Sequence, residues 1–203
     1  MSIVFYYSPL SSAVTVHWAL EELGVPYEKA KVDLGVPRKP DFLALNSNGK
    51  VPTLVHDGTS IFESVAILIH LGETFGVERG LFPPPGPARA EALKWLVWCN
   101  VSVGEALSRF LRNTSERIPA EQRNAAAGEL ARDEVEALLD ILDAALAQRP
   151  FLAGDRFGLA DLHLAGIVSY LGMVGFDVKR RGATAAWLET CTSRPGFALA
   201  MAP

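Results

Sequence analysis

Cysteine is nearly absent: among 203 residues only Cys99 and Cys191 carry thiols, far apart and in no C-x-x-C spacing. That excludes a disulfide-stapled scaffold and a thiol metal or redox motif, and leaves two reduced structural thiols. Basic clusters are missing too. The 19 Lys and Arg stand against 23 Asp and Glu, a formal charge of −4, with no block of cations to follow a phosphate backbone. Nucleic acid is therefore not expected as a partner. The longest nearly unbroken apolar stretch, Val65 to Leu71, is far short of the roughly 20 residues that cross a bilayer. No Lys or Arg precedes Lys29, so the start lacks the positive region of a signal peptide, and a cytoplasmic location without membrane attachment is expected. The histidines, His17, His56, His70 and His163, stand at no ligand spacing. They read as packing residues, and no metal is assigned.

What is present suits a globular chain. Apolar residues make up 49% and charged residues 21%, enough for one large domain or two small ones. The first part alternates: an apolar run Ile3 to Tyr7, a helical stretch from Ser12 to Leu23, and an extended piece from Tyr27 to Val32 after Pro26. A short helix near Phe42 to Leu45, a turn at Asn46 to Gly49 and an extended run Pro52 to Val55 follow. Asp57-Gly58 predicts a hairpin into Ser60 to Phe62, and Ser64 to Phe75 a helix. The prolines of Leu81 to Pro87 interrupt both kinds of regular structure. A boundary is placed there: residues 1–78 as an α/β unit, 79–87 as a Pro-rich linker, 88–203 as an all-helical unit. Helices are expected over Ala88 to Leu111, Glu121 to Ala147 and Leu159 to Leu171, the last apolar on nearly every side and hence the core of its unit.

Three segments carry chemistry. In Tyr7-Ser8-Pro9-Leu10-Ser11-Ser12 a strand ends and serines precede a helix. Serine there is an ordinary N-cap; alternatively, the helix N-terminus and a serine hydroxyl hold an anion such as a ligand thiolate. Tyr7 is a rival donor at the strand end. In Asn48-Gly49-Lys50-Val51-Pro52, proline heads a strand, as it commonly does; a cis bond would present the Val51 backbone to a peptide-like ligand. In Ile61-Phe62-Glu63-Ser64 a carboxylate and a hydroxyl precede an apolar helix. They read as a cap, or as a seat for an α-amino acid, with Ser64 on the carboxylate and Glu63 on the ammonium. Trp95, Trp98 and Phe110 read as core, or as lining for an apolar pocket.

Taken in order, these segments resemble the cytosolic glutathione transferase family, in particular bacterial members with a serine or beta-like first loop. The similarity covers essentially the whole chain and also includes Ala19-Leu20-Glu21-Glu22, Phe151 to Asp155 and Leu159-Ala160-Asp161. It implies a thioredoxin-like N-terminal domain, a helical-bundle C-terminal domain and a homodimer. It also implies a detoxifying enzyme that activates the thiol of reduced glutathione, used as co-substrate without a metal, for attack on a small electrophile. Val51 and cis-Pro52 would pair with the cysteinyl backbone, and Glu63 with Ser64 would bind the γ-glutamyl end. Lys50, or second to it Lys39, would meet the glycyl carboxylate. The activating residue falls on Ser12 by one alignment and on Ser11 by another, with Ser12 the first choice. Tyr7 and Trp98 are candidates for the electrophile pocket. A glutathione-dependent isomerase and a non-catalytic binding or regulatory protein remain as alternatives.

Overall fold

The computed structural model describes residues 1–9 and 11–202; Leu10 of the first-loop motif and Pro203 at the end of the tail lie outside the described residues. Strands β1 (Ile3–Tyr7), β2 (Glu28–Lys31), β3 (Thr53–His56) and β4 (Thr59–Phe62) form one sheet in the order β2-β1-β3-β4. β1 runs parallel to β2 and antiparallel to β3, and β3 pairs antiparallel with β4. The β3–β4 turn is the expected Asp57-Gly58 pair, both residues at positive φ (46° and 84°), the geometry whose twist matches a hairpin. Helices α1 (Ala13–Leu23), α2 (Pro40–Leu45) and α3 (Ser64–Leu71) complete this thioredoxin-like half. α3 continues into π-helical turns at Gly72–Gly76, so the helix expected over Ser64 to Phe75 changes its winding partway.

The helical half comprises α4 (Pro87–Trp98), α5 (Glu105–Thr114), α6 (Ala125–Leu146), α7 (Leu159–Met173), α8 (Gly182–Thr192) and α9 (Pro195–Met201). What reads in sequence as one helix from Ala88 to Leu111 is α4 and α5 joined through π-helical turns at Cys99–Gly104. Buried apolar residues form one cluster across both halves, from Phe5 and Trp18 to Leu96, Leu164 and Trp187. Leu81 and Phe82, just before the prolines, are themselves buried in it. Cys99 and Cys191 are buried free thiols.

α7 is the pivot of this packing. Its first turn is held by Asp161, whose buried carboxylate accepts from the backbone N–H groups of Leu152 (2.8 Å) and Gly158 (3.1 Å) and from the Trp187 indole (2.9 Å). Burial pushes the Asp161 carboxyl up to about 6, against the pull of these donors. Gly158 stands where a helix start would favour Ser or Thr. A Cβ there would lie 2.9 Å from the Leu81 carbonyl oxygen, which accepts from Leu159 N–H. Close backbone approach therefore excludes a side chain, and Asp161 supplies the capping alone.

Candidate functional site

A cleft of about 1190 Å³ is lined by both halves. The sheet half contributes loop and helix-start residues: Ser11 and Ser12 ahead of α1, Lys50 to Pro52 ahead of β3, and Glu63 with Ser64 at the head of α3. The helical half contributes mostly apolar side chains, among them Leu107, Phe110, Leu111, Ile167 and Tyr170. The structure thus brings Ser11, Ser12, Lys50, Val51, Pro52, Glu63 and Ser64 to one wall.

The two serines before α1 do different things. Ser11 Oγ donates to the Ser8 carbonyl (2.6 Å) and accepts from Ala13 N–H (3.2 Å). It is the working cap of α1, so its single hydrogen is already engaged. Ser12 has helical dihedrals and makes no capping bond. Its hydroxyl is exposed, with only a long 3.4 Å contact to the Val51 carbonyl. Of the pair, Ser12 has the freer donor.

The segment before β3 is pinned from behind. Buried Asn46 donates to the Lys50 carbonyl and to Thr53 Oγ1, both at 2.9 Å, and accepts from Asn48 N–H. The Val51–Pro52 peptide is cis, and the Lys50 side chain is exposed at the cleft. The head of α3 departs from a simple cap. Neither Glu63 nor Ser64 caps the helix: Glu63 sits at φ +71°, and the Ser64 hydroxyl is the acceptor of a 3.1 Å bond from Asn100 Nδ2. A bulky residue at positive φ is costly, of order 1–3 kcal/mol, and such strain collects at ligand sites.

Two expected pocket residues lie elsewhere. Tyr7 lines a separate small cavity with His17 and the Ala200 to Ala202 tail, stacked on Phe5 at 5.8 Å. Trp98 does not line the cleft; it packs edge-on against Trp95 at 5.2 Å. The cause is the winding after Trp98. The π-helical turns at Cys99–Gly104 shift the helix phase and send Asn100, Val101 and Gly104 to the cleft instead. Lys39 is likewise absent from the lining, whereas Phe110 is part of it.

Sequence reasoning missed Asn100, Thr15 and His163, which also line the cleft. The available signal was polarity in apolar surroundings: His163 sits among the buried apolar residues of α7 and is itself fully buried. Burial pushes its imidazole down to about 4. His56 and His70, kept apart by their spacing in the sequence, meet at 2.8 Å between Nδ1 and Nε2. Among the described residues no group of three His, Cys, Asp or Glu is placed to hold a metal, and no helix is long and apolar enough to cross a membrane.

The family models for the glutathione S-transferase N-terminal and C-terminal domains match residues 2–73 and 102–195. Among curated relatives, glutathione S-transferase GstB of Escherichia coli is 37% identical over 180 residues, covering 87% of this chain and 86% of its own. A sphingomonad glutathione S-transferase solved with glutathione superposes with a TM-score of 0.86 at 30% identity, covering 98% of this chain and 96% of its own. A glutathione transferase from Methylococcus capsulatus superposes at 0.87 with 29% identity, covering 98% and 97%. With both domains matched and a cleft between a thioredoxin-like half and a helical half, the chain belongs to the glutathione S-transferase family.

Proposed function

We propose that the cleft binds reduced glutathione, that Ser12 stabilises its thiolate, and that the apolar wall presents a small electrophile to it. The observation that carries this reading is the division of labour between the two serines. Ser11 caps α1, and that leaves Ser12 an uncommitted hydroxyl beside the positive end of the helix, the requirements for holding a sulfur anion. A free thiol with pKa about 8.5 is only slightly ionised at neutral pH, and lowering it by two units requires roughly 2.7 kcal/mol of preferential thiolate stabilisation. The rest of the tripeptide would be held in the order implied by the cleft. Val51 pairs with the cysteinyl backbone, Ser64 donates to the γ-glutamyl α-carboxylate, Glu63 accepts from its ammonium, and Lys50 meets the glycyl carboxylate. The sphingomonad relative with glutathione in its structure supports the choice of ligand.

No covalent nucleophile of the protein is needed. The thiolate attacks an electrophilic carbon; a leaving group then departs to solvent as an anion, or, at an activated double bond, the carbanion formed takes a proton from water, and holding the two reactants together supplies much of the rate. The working unit is proposed to be a cytoplasmic homodimer with a detoxifying role. The test is retention on immobilised glutathione followed by an aryl halide conjugation assay. Retention with turnover that saturates in glutathione supports the reading. Retention without turnover of any electrophile turns it into a binding protein, turnover of cis–trans isomers alone into an isomerase, and failure to bind glutathione removes it.

A further inference from the structure

A chain of side chains along the cleft joins the Ser64 and Ser12 sites. Asn100 Nδ2 donates to Ser64 Oγ (3.1 Å), and Asn100 Oδ1 lies 2.8 Å from His163 Nε2. His163 Nδ1 lies 3.0 Å from Thr15 Oγ1, which in turn lies 3.2 Å from the Ser12 carbonyl oxygen. Thr15, Ser64 and His163 are 2%, 5% and 0% exposed. The chain thus passes from the head of α3, through the π-helical turns after α4 and through α7, to the first turn of α1.

Counting hydrogens gives it a direction. A neutral imidazole has one N–H, and which nitrogen carries it decides every other bond. With the proton on Nε2, the ring donates to Asn100 Oδ1, so the amide nitrogen faces Ser64. Ser64 oxygen then accepts, and its own hydrogen is left for the cleft. Thr15 completes the order by donating to the bare Nδ1, the nearer of its two acceptors. With the proton on Nδ1, Thr15 donates to the Ser12 carbonyl, the amide of Asn100 turns over, and Ser64 gives its hydrogen to Asn100. Ser64 then has nothing to offer an anion. A carboxylate only accepts, so a ligand carboxylate at Ser64 is compatible with the first order and not the second.

We infer that His163, held as the Nε2–H tautomer, and Asn100 are positioning residues that keep the Ser64 hydroxyl hydrogen directed at the α-carboxylate of the ligand, a role that rests on the glutathione reading above. Gly166 has a part in it. It follows His163 by three residues, on the same face of α7, and a Cβ there would lie 2.5 Å from Thr15 Cγ2. The missing side chain lets α1 come close enough for Thr15 to reach the ring.

The test uses S-methylglutathione, which binds without reacting, and its analogue lacking the α-carboxylate. By calorimetry, Ser64→Ala and Asn100→Ala are each expected to weaken S-methylglutathione by about tenfold. If Asn100 acts through Ser64, the double variant is no weaker than Ser64→Ala within about twofold. Asn100→Ala should leave binding of the analogue unchanged. In parallel, ring-nitrogen NMR of histidine-labelled wild-type protein with S-methylglutathione bound should find His163 neutral, protonated on Nε2 and bare on Nδ1. That reading does not depend on whether any core variant folds. A double variant weakened about a hundredfold, a proton on Nδ1, or equal weakening of both ligands overturns the inference. Wild-type protein that binds S-methylglutathione while Asn100→Ala binds it equally well overturns the inference alone; wild-type protein that binds no glutathione derivative overturns the functional reading with it.

Discussion

The two walls of the cleft are built on different principles. On the sheet side the residues proposed to meet glutathione sit where regular structure stops: Ser12 before α1, Val51 before β3, Ser64 at the first position of α3. On the helical side the lining comes largely from α5, α7 and the π-helical turns at Cys99–Gly104, as in Phe110, Ile167 and Val101. Chain ends expose backbone N–H and C=O groups in fixed directions, so the first wall can recognise one peptide-like ligand. Helix middles expose only side chains, so the second wall can change its shape by substitution without disturbing the first. On the proposed function, a constant co-substrate meets the first wall and a variable electrophile the second.

The comparison is broken most severely from outside the cleft. Asp161→Ala strips the acceptor from the buried Leu152 N–H and Trp187 indole and from the part-buried Gly158 N–H. Three donors left unpaired, two of them buried, should together cost roughly 4 kcal/mol. Because one core spans both halves, thermal unfolding should stay a single transition, with its midpoint lowered by about 8 °C or more. Two separated transitions would contradict the shared core.

Acid comes next in size. His163 titrates at about 4 when folded against 6.5 for the free group, so between these values the unfolded chain binds the extra proton. Its contribution is intact above pH 6.5 and is lost as pH falls toward 4, on the order of 3 kcal/mol at the limit. Asp161, raised from 3.8 to about 6, acts in the opposite sense, gaining stability as pH falls through that window. Denaturant unfolding of wild type and His163→Gln from pH 7.5 to 4.5 separates them: the wild type should lose more stability than the variant over that interval.

Within the cleft the walls should separate cleanly. Ser64→Ala removes a hydrogen bond to a charged group, about 1.5 kcal/mol, and should weaken glutathione about tenfold while leaving the ranking of electrophiles unchanged. Ile167→Ala should do the reverse, lowering kcat/KM for an apolar aryl electrophile by roughly fivefold to tenfold with unchanged glutathione affinity. Steady-state kinetics with both substrates varied decides it, and a variant that moves both parameters would erase the distinction.

Legibility in the sequence follows the same line. The Asp57-Gly58 hairpin, the turn at Asn46 to Gly49 and the serines before α1 were readable because turns and caps demand particular residues locally. So was the succession of an α/β half and a helical half. The linked side chains along the cleft were not, since Thr15 and His163 lie 148 positions apart and meet only through the packing of α1 on α7. Trp98 illustrates the opposite failure. Within the helix expected over Ala88 to Leu111 it was offered as pocket lining, but no local pattern announced the π-helical turns that rotate the following residues toward the cleft while Trp98 stays against Trp95. Ser11 and Ser12 were both legible as cap or site; assigning one role to each required the hydrogen bonds of Ser11.

The most direct test is the pH titration of thiolate ultraviolet absorbance for glutathione bound to wild type, Ser12→Ala and Ser11→Ala. The account predicts a bound thiol ionising about two units below its free value of about 8.5 in wild type, with the shift abolished by Ser12→Ala and largely kept by Ser11→Ala. A site saturated with glutathione whose thiol titrates at the free value would contradict it, leaving Ser12 without a catalytic role.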